Sequence, residues 1–469
     1  MIDGDDSPAF AADVAIIGET IAAIGDLSEW TADTIIDAAG LIVAPGFIDV
    51  HTHDDHACIA MPDQTPKISQ GVTTLVVGNC GLSVAGLAVD GDPLEPLNLL
   101  GGREAFVHPS FAAYADAVVA ARPSVNVGAL IGHSTLRVAT MDDLGRPANA
   151  GEIAAMRAIL SEALNNGALG LSSGLFYAPS QAADARELVA LGRDVAAAGG
   201  IYTAHIRDEY DGVADALREA IETAGEAGSP LILSHHKCAG VQNWGRSNET
   251  LGLIDIARQQ QQVGLDCYPY VAGSTVIRPD LADGRIDVLI NWSTPHPEQA
   301  GRKLSDIAAD WGCDQAAAAE RLIPGGASYF QIHEDDMRAI LSHPGCMIGS
   351  DGLPNDPHPH PRLWGAFPRV LGRYARDLGL FSFEHAVHKM TGLAARTFHL
   401  ANRGLLRKDF AADVTIFDPA TIIDTATYDA PRQVAIGIRH VIVNGTLSWS
   451  DGRHLGGRAG QFLKRGEAA

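Results

Sequence analysis

No stretch of this sequence approaches the roughly 18 uninterrupted apolar residues that a membrane-crossing helix requires, so no membrane span is expected. The start, MIDGDDSPAF, lacks the basic segment and apolar core of a secretory signal. Cysteine is scarce and unpatterned. The six (Cys58, Cys80, Cys238, Cys267, Cys313, Cys346) contain no C-x-x-C pair, and in so long a chain this reads as reduced thiols in the cytoplasm, not a disulfide framework. Basic residues are in deficit: 34 Lys and Arg stand against 57 Asp and Glu, a formal net charge of -23. Such a surface repels phosphate backbones and anionic bilayers, so neither nucleic acid nor membrane is expected as a partner. An anionic substrate would need a local basic pocket. The G-x-G-x-x-G fingerprint of dinucleotide-binding folds is also missing.

What is there is ample apolar material, 46% of 469 residues, punctuated by 50 glycines. Eight short apolar runs recur along the chain: GFIDVHTH at 46–53, GVTTLVVGNC at 71–80, VNVGALIGH at 125–133, ALGLSSG at 168–174, IYTAHIRDE at 201–209, PLILSHHK at 230–237, QVGLDCYPY at 262–270 and CMIGSDG at 346–352. Between several of them lie Ala-, Leu-, Glu- and Arg-rich stretches of helical length, such as SFAAYADAVVAAR, EIAAMRAILSEALNNG, ARELVALGRDVAAAGG and GVADALREAIETAGEAG. Eight strand–helix units with near-continuous apolar strands predict an α/β fold, a closed (β/α)8 barrel. An open doubly wound sheet is the alternative, which the eight units and the missing glycine fingerprint disfavour.

A barrel carries its chemistry at the C-terminal ends of its strands. Here those ends are His51 and His53, Cys80, His133, Ser172 and Ser173, His205 and Arg207, His235 and Lys237, Tyr268, and Asp351. No one of these is strong alone. With 18 histidines, about 0.7 H-x-H triplets arise by chance, and HPH at 358–360 supplies a second. A lone cysteine is usually ordinary core, and Asp-Gly is usually a turn. Together they say more. Strand alternation sends His51 and His53 to one face, and five strand ends then offer imidazole, thiolate or carboxylate to one point. The apolar run FIDV stops on a cluster of ionisable groups because the barrel opens there, and a metal is expected in the mouth.

Two departures break the spacing. Residues 271–345 are far longer than a βα loop and contain helix-like pieces (PEQAGRKLSDIAADWG, DDMRAILSHPG), which predicts a lid-like inserted subdomain between strands seven and eight. Both ends of the chain alternate like strands (ADVAIIGETIAAIGDL, TIIDAAGLIVAPG, ADVTIFDP, IRHVIVNGTLSWSDG). The expected division is a small β-sandwich domain from 1–44 plus 401–469 and a catalytic barrel over 45–400.

PGFIDVHTHDD, GLLRKDFAADVTIFDP and the β-flanked barrel resemble the amidohydrolase superfamily. More narrowly, GVTTLVVGNCGLS, SSGLFYAPS, AHIRDE, SHHK and GSDGLPNDPHPHPRLWGAF resemble the D-aminoacylase (N-acyl-D-amino-acid deacylase) family, over about residues 10 to 450. Against that pattern the chain begins a few residues late, without the first short strand. The resemblance implies one tightly held zinc on Cys80, His205 and His235, and a second, weaker metal position on His51, His53 and Asp351. It also implies that Asp351 is the catalytic base. A Cys/His/His set with an open position suits zinc, and a carboxylate beside metal-activated water can take a proton and pass it to the leaving amine.

The implied reaction is hydrolysis of an N-acyl-D-amino acid to a carboxylate and the free D-amino acid. The substrate's α-carboxylate is assigned to Lys237, Tyr268 and Tyr177, with Arg362 either a carboxylate clamp or a surface residue. His133 is either an oxyanion or substrate group or structural, and His56 and His236 are left as supporting residues. The runner-up activity is a cyclic amidase of hydantoinase or dihydroorotase type, which usually has a modified lysine where Cys80 stands. A non-catalytic barrel scaffold would show missing ligands, and none is missing. Side-chain class (hydrophobic, D-Glu or D-Asp), preference for D over L other than by resemblance, and oligomeric state stay open at this point.

Overall fold

The computed structural model describes residues 1–466. Its centre is a ring of parallel strands: Phe47–Asp49, Val72–Val77, Asn126–Ala129 continued by Ile131–Gly132, Gly170–Gly174, Ile201–His205, Leu231–Leu233, Val263–Cys267 and Cys346–Ile348. Each pairs in parallel with its neighbour, and a parallel bridge from Thr52 to Gly352 joins the last strand to the first. The expected barrel is therefore present, with all eight strands where the apolar runs put them.

The helices form where local chemistry starts and stops them. Ala150–Asn165 begins in a capping box, Asn149 accepting from the Glu152 amide while Glu152 reaches back. Ala185–Ala197 is capped by Asp184. Val213–Ala227 stops at Gly228, whose φ of 73° a side chain would resist. Their apolar faces, including Leu160, Leu191 and Leu217, pack on the strands in one continuous core.

Both ends of the chain build β structure. Ile42–Pro45 joins Val414–Phe417, Ile438–Val443, Thr446–Ser450 and Arg453–His454 in an antiparallel sheet. The hairpin Asp13–Ile17/Thr20–Gly25 adjoins it through a bridge from Thr20 to Ala411. One part of the C-terminus does something else. Phe462–Leu463 pairs in parallel with Val127–Gly128 of the third barrel strand, and the Phe462 ring lies against Phe111 and Tyr114. The third strand thus shares its lower half with the C-terminus, and only Ile131–Gly132 meets the fourth strand. A two-residue strand has too little pattern to be seen in sequence.

The insertion is smaller than expected. A three-stranded antiparallel sheet (Gly273–Val276, Val288–Ser293, Gly325–Tyr329) and the helices Leu304–Trp311 and Gln315–Leu322 share their own core of Ile290, Ile307, Leu322 and Tyr329. The helix Glu334–Ser342, which the sequence assigns to the lid, instead packs Met337, Ile340 and Leu341 into the barrel core. It is the outer helix between strands seven and eight. A cleft of about 490 Å³ separates Trp292–Thr294 of the insertion from Asn98–Gly102 and Asn355–Pro357. Among the described residues no helix is long and apolar enough to cross a membrane, and all six cysteines are free.

One buried ionic cluster ties the outer layer together. Glu187 accepts from Arg137 Nη1 at 2.7 Å on both oxygens and lies 2.8 Å from His133 Nε2, with all three side chains fully buried. Burial alone would raise the Glu187 carboxyl, but His133 and Arg137 hold it down at about 2. The unfolded chain therefore takes up the proton first as pH falls. The resulting stabilisation, on the order of 3 kcal/mol, is complete above roughly pH 5 and lost between there and about pH 2. Glu187→Gln is expected to remove this part of the acid limb and to cost about 3–5 kcal/mol at pH 7, as read from urea unfolding across that range.

Candidate metal centre

The ring of strands brings six polar side chains to one buried point. His51 Nε2 lies 3.2 Å from Cys80 Sγ, Cys80 Sγ 3.2 Å from His235 Nε2, and His235 Nε2 3.0 Å from His205 Nδ1. Asp351 Oδ1 is 3.2 Å from His53 Nε2 and 3.6 Å from His51 Nε2. His51, Cys80, His235 and Asp351 each place a donor atom within 4.8 Å of the others, a group that could hold a metal ion. Lone pairs this close repel unless a proton or a cation lies between them. A tetrahedral zinc with nitrogen and sulfur ligands would set such donors about 3.3–3.6 Å apart, close to the spacing here. The donor set and its geometry fit zinc.

The backbone is bent to aim these groups. Cys80, His235 and Asp351 have φ of 55°, 35° and 48°, a left-handed region that non-glycine residues enter at a cost. Neighbouring contacts hold them there. The His235 amide donates to Asp266 Oδ1 at 2.9 Å, and the Asp351 amide to the His51 carbonyl at 2.7 Å. At Cys80 the fourth strand passes so close that a Cβ on Gly174 would meet the Cys80 carbonyl oxygen at 2.1 Å. SSG in the fourth strand is thus a clearance requirement, and Ser172 ties the same turn by accepting from the Gly81 amide and donating to the Gly78 carbonyl.

Charge follows the geometry. Burial alone would push the Cys80 thiol up, but His51 and His235 beside it hold it well below its usual range, as the thiolate a metal takes. Burial likewise opposes ionisation of Asp351, and Arg362, with His235 next, keeps its carboxyl well below the usual carboxylate range. Arg362 Nη1 lies 2.8 Å from Asp351 Oδ2.

The other predicted residues surround this point. Lys237 Nζ lies 5.9 Å and Arg362 Cζ 4.5 Å from the centre of the Tyr268 ring. The Tyr268 hydroxyl and Arg362 Nε are buried without a hydrogen-bond partner among the described residues. Arg362 is fully buried, which removes the surface alternative. The Tyr177 ring stands edge-on to His205, and its hydroxyl is 3.2 Å from Thr275 Oγ1 of the insertion. Arg362 also donates to the Ser274 carbonyl, so the insertion borders the mouth directly. His133 belongs to the Glu187 cluster instead, with its other nitrogen 3.0 Å from Ser180 Oγ. His236 is turned away to Thr250 Oγ1, and burial lowers it to about 3, so it is neutral. His56 starts the short helix Ala57–Ala60. Arg207 pairs with Glu219 at the rim, and Ser173 with the Tyr202 hydroxyl.

Four residues at the site were not singled out in the sequence. Asp266 lies 3.1 Å from His51 Nδ1. Glu209 lies 2.5 Å from Lys237 Nζ and 3.1 Å from His235 Nδ1. Asp49 accepts from the Ser350 amide and from Lys67 Nζ, which also reaches Thr52, Ser350 and Asp54 in a fully buried knot beneath the ligands. Asp49 and Asp266 carry a visible signal, a carboxylate inside an apolar strand. Lys67 carries none.

A family model described as "Amidohydrolase family" matches residues 34–283 and 298–448. The chain belongs to the amidohydrolase family. Within it, a D-aminoacylase of Alcaligenes xylosoxydans xylosoxydans is 50% identical over 467 residues, covering 99% of this chain and 96% of that protein. An N-acyl-D-aspartate deacylase of the same organism is 48% identical over 469 residues, covering 100% and 94%. The crystal structure of N-acyl-D-glutamate deacylase from Bordetella bronchiseptica, complexed with zinc and a phosphonate mimic of the tetrahedral intermediate, superposes with a TM-score of 0.96 at 48% identity, over 99% of this amidohydrolase and 97% of that chain.

The Lys67 knot makes a direct prediction. Lys67→Met leaves Asp49 and Asp54 unpaired in a dry interior and is expected to cost about 3–5 kcal/mol, measured as a lowered urea midpoint with unchanged slope.

Proposed function

We propose that this amidohydrolase is a zinc-dependent N-acyl-D-amino-acid deacylase, which adds water across an amide bond and releases a carboxylate and a free D-amino acid. The observation that carries this reading is one buried mouth holding both a Cys/His donor set and, beside it, a ring of anion-receptive groups. Cys80, His205 and His235 would hold the tight zinc, with His51, His53 and Asp351 forming the weaker position. Zinc there supplies Lewis acidity toward the amide carbonyl and a nucleophile at neutral pH.

The chain's own groups do the rest. Asp351 takes a proton from the attacking water at Oδ1, the oxygen that faces the histidines, and returns it to the leaving nitrogen. Arg362 on Oδ2 keeps that carboxylate ionised and oriented. Lys237 and Arg362, the local cations that an acidic protein requires, receive the substrate's α-carboxylate together with the Tyr268 and Tyr177 hydroxyls. Residues 271–345 include the cover over the mouth, the barrel proper spans 45–400, and the terminal segments form the β-sandwich. We place the enzyme in the cytoplasm, where free thiols persist.

At nearly equal identity, one curated relative is named for D-aspartate, the zinc-bound structure for D-glutamate, and the D-aminoacylase for no side chain in particular. The test is therefore amine release from paired N-acetyl-D- and N-acetyl-L-Met, -Leu, -Phe, -Glu and -Asp by zinc-loaded protein. Turnover confined to D-isomers is expected, and the preferred member names the pocket. Turnover of L-isomers, or of neither with zinc bound, overturns the assignment. Asp351→Asn is expected to lower kcat about 10²–10⁴-fold on the best substrate, and to lower the apo protein's unfolding midpoint because buried Arg362 loses its counter-ion.

A further inference from the structure

An imidazole that binds a metal through one nitrogen carries hydrogen on the other. A carboxylate that accepts this hydrogen fixes the tautomer, locks the ring and makes the ligating nitrogen more basic. Two of the four histidines at the centre have a carboxylate within 3.1 Å of the outward nitrogen, and a third has one at 3.7 Å. His51 Nδ1 faces Asp266 at 3.1 Å. The other two share one: His235 Nδ1 lies 3.1 Å from Glu209 Oε1, and His205 Nε2 lies 3.7 Å from Glu209 Oε2. His205 Nε2 is buried and, among the described residues, has no partner at hydrogen-bond distance. His205 and His235 meet through opposite nitrogens, Nδ1 and Nε2, so their outward faces converge on one side, where Glu209 stands buried. His53 is the contrast, its outward Nδ1 buried with no partner among the described residues.

We propose that Glu209 is the positioning residue of the metal centre, its two carboxylate oxygens holding the outward N–H groups of His205 and His235 so that both rings present lone pairs beside Cys80. The proposal rests on the metal part of the reading above, not on the substrate. Glu209 is also the counter-ion of Lys237, whose Nζ lies 2.5 Å from Oε1 and 2.9 Å from His235 Nδ1. Lys237 and the His235 N–H therefore compete for one oxygen, and a substrate carboxylate that draws Lys237 away leaves Glu209 to the rings. Glu209, His205 and His235 also have metal-holding spacing, but the ammonium already occupies that position with a charge of the metal's own sign.

The experiment measures zinc affinity of the full-length protein by competition with a chromophoric chelator, without substrate, together with the visible spectrum of the cobalt(II)-loaded form. Glu209→Gln is expected to weaken zinc about 10–100-fold and to shift the cobalt bands, because one amide cannot accept from both rings. Lys237→Met is expected to bind zinc at least as tightly as the parent while KM rises. Parental zinc affinity and cobalt spectrum in Glu209→Gln, with only KM raised, would show that Glu209 serves Lys237 alone and would overturn the proposal. A tenfold loss of zinc affinity in Lys237→Met overturns it as well, whether or not the Gln variant folds. The zinc-affinity and cobalt readouts, which decide the proposal, do not depend on which amide is hydrolysed, so failure of the substrate assignment leaves the test intact.

Discussion

Everything at the mouth of this barrel follows from one awkward juxtaposition: a thiolate and imidazole lone pairs held about 3 Å apart where water is excluded. Without a cation or a shared proton between them this arrangement is repulsive, and no packing of apolar neighbours relieves it. The fold answers by over-determining each donor. Three residues are pinned in left-handed backbone, one turn is clamped by close passage of the neighbouring strand, and carboxylates stand behind three of the histidines. Rigid strands supply the aim, and the cost is spread through the surrounding barrel rather than carried by loops.

The acidic balance of the chain takes on a specific meaning at this site. An anionic substrate demands cations, and the structure buries Lys67, Lys237 and Arg362 around the mouth, each against a carboxylate: Asp49 and Asp54, Glu209, and Asp351. A bare ammonium or guanidinium in this interior would be destabilising. Pairing makes the cations tolerable in the free enzyme, and an arriving carboxylate then competes with existing partners. Selectivity for a ligand with the right second contact is built into that exchange.

Much of this could be read from sequence, for physical reasons that differ by element. Strands were visible because parallel barrel strands are buried on both faces and show as plain apolar runs. Cys80, His205, His235 and Asp351 stood out because each ends such a run. The family resemblance, shown by the full-length matches, joined them into one constellation. Lys67, Glu209 and Phe462–Leu463 were hidden, because nothing local distinguishes a buried lysine from an exposed one, or a two-residue strand from a tail. Helix Glu334–Ser342 was misassigned because amphipathic periodicity states that a face is covered but not what covers it.

The pairing of Phe462–Leu463 with Val127–Gly128 also sets a schedule. A ribosome delivers the third strand long before Phe462–Leu463, so its lower edge lacks this partner until that segment has been made. The barrel therefore cannot be completed before Phe462–Leu463 is made. Until then strand three offers an unpaired edge of the kind that can template pairing with another chain, and covering that edge depends on a two-residue segment far away in sequence.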